Sequence, residues 1–215
     1  MKKSTIIGAL ALCLSVPFVG FAQDGNADSG TAKFGFKVGG NLTNFYSGDN
    51  INDNNLKPGF QAGIYWQGHI IEDVLFIQPE ILYTRKGTQA TYSNFLLGSG
   101  TYQFGLGYVE VPVVLGFNLG RFNLHAGGYG AYLTDARVRD VRDNGDIRGV
   151  TELNRSNFNS FDYGLVGGLG VDFEFGQVGL RYNMGLREIG DSGIAGQLTQ
   201  NAKNQALQLY LGFHF

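Results

Sequence analysis

The sequence is poor in cysteine, in charge and in long apolar runs, and each shortage removes a class of protein. The single cysteine, Cys13, lies in an N-terminal apolar stretch from Ile6 to Phe21 that follows Met1-Lys2-Lys3. A positive start, a short apolar region and the A-x-A-like Gly20-Phe21-Ala22 read as a cleaved export signal, with Gln23 opening the mature chain. Pro17 and the shortness of the apolar region argue against the alternative, a retained anchor. A lipoprotein would need a small residue before Cys13, and Leu12 stands there. The mature chain then has no cysteine, which excludes disulfides and thiolate metal sites. Sixteen Lys and Arg against eighteen Asp and Glu give a net charge of −2. Loss of Lys2 and Lys3 makes it −4, so nothing points to nucleic acid. No mature segment approaches 18 consecutive apolar residues, which excludes a helical membrane span.

What the chain has is glycine and aromatics: 34 Gly, 17 Phe and 11 Tyr. Glycine at this density penalises helices, and long i, i+3, i+4 patterns are absent. The dominant signal has period two. Val109, Val111, Val113, Leu115, Phe117 and Leu119 alternate with Glu110, Pro112, Val114, Gly116 and Asn118. The same alternation runs through 161–175, 178–187 and 207–215. Ten or more residues of strict alternation exceed an ordinary strand and match a tilted strand crossing a bilayer.

Eight such segments are expected, at 33–46, 58–70, 75–87, 107–119, 122–133, 160–175, 178–188 and 204–215. Tight turns at Ile71–Val74, Gly120-Arg121 and Gly176-Gln177 alternate with longer loops near 47–57, 88–106, 134–159 and 189–203. The fold class is therefore all-β: an eight-stranded antiparallel up-and-down transmembrane β-barrel with short periplasmic turns and longer extracellular loops. The domain reading is a cleaved signal over 1–22, a short periplasmic segment over 23–32 and the barrel over 33–215. Pro58 opens its strand, whereas Pro79 and Pro112 sit inside theirs and are expected at bulges or bends. A soluble, lipocalin-like barrel is the alternative. The polar faces argue against it, being rich in glycine and buried-type ions rather than in a solvated Lys/Glu coat. The apolar faces are continuous, with aromatics near strand ends.

Several segments resemble one family. Val38-Gly39-Gly40-Asn41-Leu42-Thr43, Gln78-Pro79-Glu80-Ile81-Leu82-Tyr83 followed by Lys86-Gly87, and Tyr108 to Leu115 are similar to the PorT-family outer-membrane β-barrel pattern. Arg181-Tyr182-Asn183 with Gly185-Leu186, and the terminal Leu211 to Phe215, extend the likeness from Phe34 to the end of the chain. The resemblance implies a small OmpX-like barrel. A founding member is linked to secretion of virulence factors, and the motifs specify the barrel rather than an activity. Terminal Phe215 resembles the signal read by the barrel-assembly machinery, an implied partner during insertion. Outer-membrane lipid and lipopolysaccharide, together with partner membrane proteins, complete the expected partners. No cofactor and no metal are expected.

Two sets of residues stand out. Facing inward, Lys37, Glu80, Glu110, Asp162, Asp172, Arg181 and Arg187 form the expected lumen polar network, alongside Gln61, Tyr65, Gln78 and Tyr129. Counted from the turns, Glu80, Arg181, Asp172 and Lys37 share one level, and Glu110 and Arg187 a second. The mixed signs favour a salt-bridged plug over a proton or ion path, because unpaired buried charge is prohibitive. In the third loop Arg137, Arg139, Arg142, Arg148 and Arg155 meet five acids, Asp135, Asp140, Asp143, Asp146 and Glu152. That loop is the expected binding element, since arginine forks suit phosphate and carboxylate; a mobile loop without a ligand is the alternative. His69, His125 and His214 fall near periplasmic strand ends and not in an extracellular loop, so no nucleophile–base pair forms at the outer rim and the chain does not read as an enzyme. Two functions remain. One is a structural or interaction barrel accessory to a secretion or surface complex. The other is a ligand-binding or adhesion barrel acting through its loops.

Overall fold

The computed structural model describes residues 32–46, 56–94, 98–142, 147–152, 159–189 and 202–215. The expected signal (1–22), all but the last residue of the 23–32 segment and Arg155 lie outside them. The strands are β1 (Lys33–Tyr46), β2 (Lys57–Ile71), β3 (Leu75–Asn94), β4 (Gly98–Leu119), β5 (Phe122–Arg142), β6 (Ile147–Glu152), β7 (Phe161–Phe173), β8 (Gly176–Glu188) and β9 (Lys203–His214). Each of the eight longer strands pairs antiparallel with its chain neighbour. β5 pairs with β7, and β9 returns to β1, so the sheet closes into an eight-stranded barrel. Phe215 N–H donates to Phe34 O at 3.1 Å, extending that seam to the last residue.

Alternation decides which face goes where. Leu115, Leu165 and Leu209 point outward at 51, 55 and 61% exposure, while Lys37, Glu110 and Asn183 point inward at 0%. Val113 is 44% exposed and its neighbour Val114 is fully buried. A soluble barrel would reverse this arrangement. A continuous belt of exposed Leu, Val and Phe around a polar interior needs hydrocarbon as its solvent. Glycine makes the interior fit at two points in particular. A Cβ on Gly179 would strike the Tyr210 ring, and one on Gly164 would strike Tyr129.

The tight turns occupy one end. Val74 N–H donates to Ile71 O at 3.1 Å around Asp73, which has φ of 57°. Gly120 carries φ of 67°, the sign that the first position of a two-residue II′ hairpin turn requires. The third turn is Glu174-Phe175 rather than Gly176-Gln177, since Phe173 pairs with Gly176. The two-residue displacement preserves every face but slides β7 against β8. Asp172 lies opposite Gln177, and Arg181 lies opposite Gly168. That is four residues, about 13 Å of strand, from the expected level.

The inner prolines do not make bulges. Pro79 pairs with Val113 and Pro112 with Tyr129 without a register shift. The irregularities fall elsewhere, at His69/Ile71, at Asp140/Val141, at Met184/Glu188 and at Thr134, the extra residue between Leu133 and Asp135 that opposes Gly107/Tyr108. The Thr134 hydroxyl donates to Gly107 O at 2.9 Å.

Much of the stretches expected as loops two and three is strand. β3, β4 and β5 run for 20, 22 and 21 residues, about twice the 9–11 that cross a bilayer. β6 adds a fourth strand by pairing with Arg137–Val141. Thr, Tyr and Val in 88–104 and 138–151 favour this extended state. A four-stranded sheet thus rises from one side of the barrel, at the end opposite the tight turns.

Candidate functional site

The polar interior is organised around two lysines, each held between tyrosine rings. In the lower half, toward the turns, Glu80 on β3 takes two cations. Arg181 from β8 grips it through both terminal nitrogens, each at 2.9 Å, and Lys37 from β1 lies at 2.5 Å. Gln78 donates to the same carboxylate at 2.6 Å. The Lys37 ammonium sits 4.2 Å from the centre of the Tyr210 ring and 5.3 Å from that of Tyr65, a cation–π arrangement that offsets some of the lost hydration.

Arg181 also donates its Nε–H to His125 Nε2 at 3.3 Å. An arginine only donates, so that imidazole nitrogen is the acceptor and the proton sits on Nδ1, which donates to Asn123 Oδ1 at 3.0 Å. Asn123 then donates to Asp172 at 2.8 Å. The four-residue offset between β7 and β8 removes Asp172 from direct contact with Arg181 and connects it through His125 and Asn123.

In the upper half the stoichiometry is inverted. Lys86 lies 2.5 Å from Glu110 and 3.9 Å from Asp162, so one cation serves two acids. Its ammonium is 4.2 Å from the centre of the Tyr129 ring and 5.6 Å from that of Tyr108. Asn183 donates to Glu110 at 2.9 Å, and Tyr129 and Asn204 donate to Asp162 at 3.2 and 2.9 Å. Arg187, expected beside Glu110, donates instead to Asn159 at 2.9 Å in a half-exposed position. The earlier turn lifts all of β8 toward the upper rim, which leaves Asn183 at the level expected for Arg187.

Lys86 is the central cation that reading the sequence for charge missed, although it shares inward parity with Glu80. Between the two clusters Asn41 donates to Thr84 at 2.9 Å. The buried amides of Gln61 and Gln208 meet no hydrogen-bonding group among the described residues. Every charged residue of the two clusters has an ion pair, and both clusters are almost wholly shielded from solvent.

Of the third-loop arginines, Arg137 is the one whose side chain is described. Arg137 lies 3.6 Å from Asp135. Arg139 and Arg142 follow it on β5 and Arg148 stands on β6, where the backbone alone is described. Among the described residues no group of three or more acids, histidines or cysteines is arranged to hold a metal ion.

Solved barrels are similar in fold. Ail, the attachment invasion locus protein of Yersinia pestis, is 10% identical in its complex with the heparin analogue sucrose octasulfate, with a TM-score of 0.46. Another structure of Ail is 12% identical with a TM-score of 0.43, and neisserial surface protein A is 14% identical with a TM-score of 0.49. Each alignment covers 86% of this chain and 99% of the other. No curated protein matches the sequence. Residues 21–190, most of the chain, match the model of the outer membrane protein beta-barrel domain. The closed eight-stranded barrel agrees with that match, and the chain belongs to the outer membrane protein beta-barrel domain family.

Proposed function

We propose that this protein is an outer-membrane interaction barrel whose ion-plugged lumen is a scaffold and whose projecting sheet engages a partner at the cell surface. The observation that carries this reading is the β3–β6 sheet, which continues well past the apolar belt. Among the described residues β6 pairs only with β5, and a strand edge of this kind presents the backbone N–H and C=O groups to which an added strand docks. Arg137, Arg139, Arg142 and Arg148 on this sheet, with Arg155 later in the sequence, favour an acidic or phosphorylated contact.

The finer assignment is to the PorT-like barrels, as an accessory of a secretion or surface complex. Residues 1–22 serve as a cleaved signal, 23–32 as a periplasmic lead-in, and Phe215 as part of the signal read by the barrel-assembly machinery. The protein acts without catalysis, because its described histidines lie away from the outer rim and Glu80, Glu110 and Asp162 in its lumen are held in ion pairs.

The test is mild-detergent extraction after photocrosslinking from Val150 on β6. A stoichiometric protein partner supports the interaction reading. A monomer that captures no protein but retains an added surface ligand moves the function to the second reading, a ligand-binding or adhesion barrel.

A further inference from the structure

The outer wall of the barrel carries one built cationic site. A notch of about 190 Å³ opens across β2–β5, lined by Lys57, Phe60, Arg85, Gly105, Asp135 and Arg137. Its floor is glycine. The Asp135 carboxylate lies where a Cβ on Gly107 would stand, and the Lys57 ammonium is 2.9 Å from the corresponding point on Gly105. Asp135 holds the two guanidiniums side by side, at 3.4 Å from Arg85 and 3.6 Å from Arg137, and accepts from the Tyr83 hydroxyl at 3.0 Å. Two guanidiniums share one acid, and the Lys57 ammonium stands beside them over Gly105.

Its height matters as much as its charge. Tyr83, Val109 and Tyr132 form one rung of the outer wall, and Arg85, Gly107 and Asp135 form the rung two residues above, about 7 Å higher. From the Tyr83 rung down to the turns, the described outward residues are uncharged. The cations therefore stand where the hydrocarbon ends and headgroups begin. Elsewhere on that rim Lys203 is the register partner of Glu188, and within the notch Arg137 is that of Glu152 on β6. We propose that this notch binds the phosphate of an outer-leaflet lipid headgroup. Both guanidinium forks and the ammonium address it, and the acyl chains lie over Phe60, Tyr83 and Val109. An acidic protein would leave that apolar wall uncovered. The inference rests on the long-strand end facing outward and not on the partner of the projecting sheet.

The test is native mass spectrometry of the delipidated, refolded protein titrated with lipid A, dephosphorylated lipid A, or inorganic phosphate. Wild type should hold one lipid A, with binding weakened roughly tenfold or more for Arg85→Gln/Arg137→Gln. Gly105→Val, which fills the floor and keeps every charge, should lose binding similarly, while Arg121→Gln at a distant turn should not. Heat-dependent gel mobility reports folding, and Lys57→Gln, outside the Asp135 cluster, serves if the arginine variant does not fold. Equal binding of dephosphorylated lipid, saturation by phosphate alone, or unchanged binding in Gly105→Val would overturn the site. Protease cleavage of the β5–β6 hairpin on intact cells checks orientation independently.

Discussion

The two buried ion clusters solve one problem with opposite arithmetic. Below, two cations share Glu80; above, two acids share Lys86. Each lysine is flanked by two tyrosines, and each cluster by itself carries one net charge, positive below and negative above. Together the two clusters cancel, although neither is neutral alone. The comparison teaches that the shared ion, rather than any one pair, governs the stability of each half.

Glu80→Leu should therefore be the most damaging lumen change, since it leaves Lys37 and Arg181 buried against each other. A loss of about 3–5 kcal/mol or more is expected, read from reversible urea unfolding in lipid vesicles. Lys86→Met should match it by setting Glu110 against Asp162. Next comes the outer wall: Val113→Arg places a charge in hydrocarbon at a cost of roughly 2–4 kcal/mol. Spin labels check the same face assignment, with oxygen relaxing a label at 113 and sparing one at 114. Removing one of two like members should cost less than removing the shared one, because a pair survives. Arg181→Leu and Asp162→Asn should each lose about 1.5–3 kcal/mol. If Arg181→Leu proves as severe as Glu80→Leu, the cluster is a single bidentate pair with Lys37 as bystander. Smallest of all, Arg187→Ala should change stability by about 0.5–1 kcal/mol, since it loses one half-exposed hydrogen bond to Asn159.

Faces were legible in the sequence because period two is a local property. Val113 against Val114, or Glu80 against Ile81, needs only the parity of one strand. Heights were not, because they depend on where each turn closes. Glu174-Phe175 and Gly176-Gln177 differ by two residues and leave every face unchanged, yet the difference separates Asp172 from Arg181 and lifts Arg187 away from Glu110. Lys86 escaped notice because its strand was ended at Gly87, where the bilayer crossing ends. β3 continues to Asn94, and the lysine lies inside the wall rather than at its lip. The projecting sheet depends on two further registers, 88–94 against 98–104 and 100–107 against the Val- and Arg-rich end of β5. The notch had no sequence signal, since Lys57, Arg85 and Arg137 are brought together by three separate hairpin registers.

Conductance is the most direct test of a lumen closed by its own ion pairs. The wild-type protein, reconstituted into planar bilayers with folding verified by heat-dependent gel mobility, should produce no stable single-channel steps. An eight-stranded interior is just wide enough for side chains to fill, and Lys37, Glu80, Lys86, Glu110 and Arg181 are all at most 2% exposed. Reproducible ohmic steps from the unmodified protein would contradict that account and reopen the lumen as an ion path.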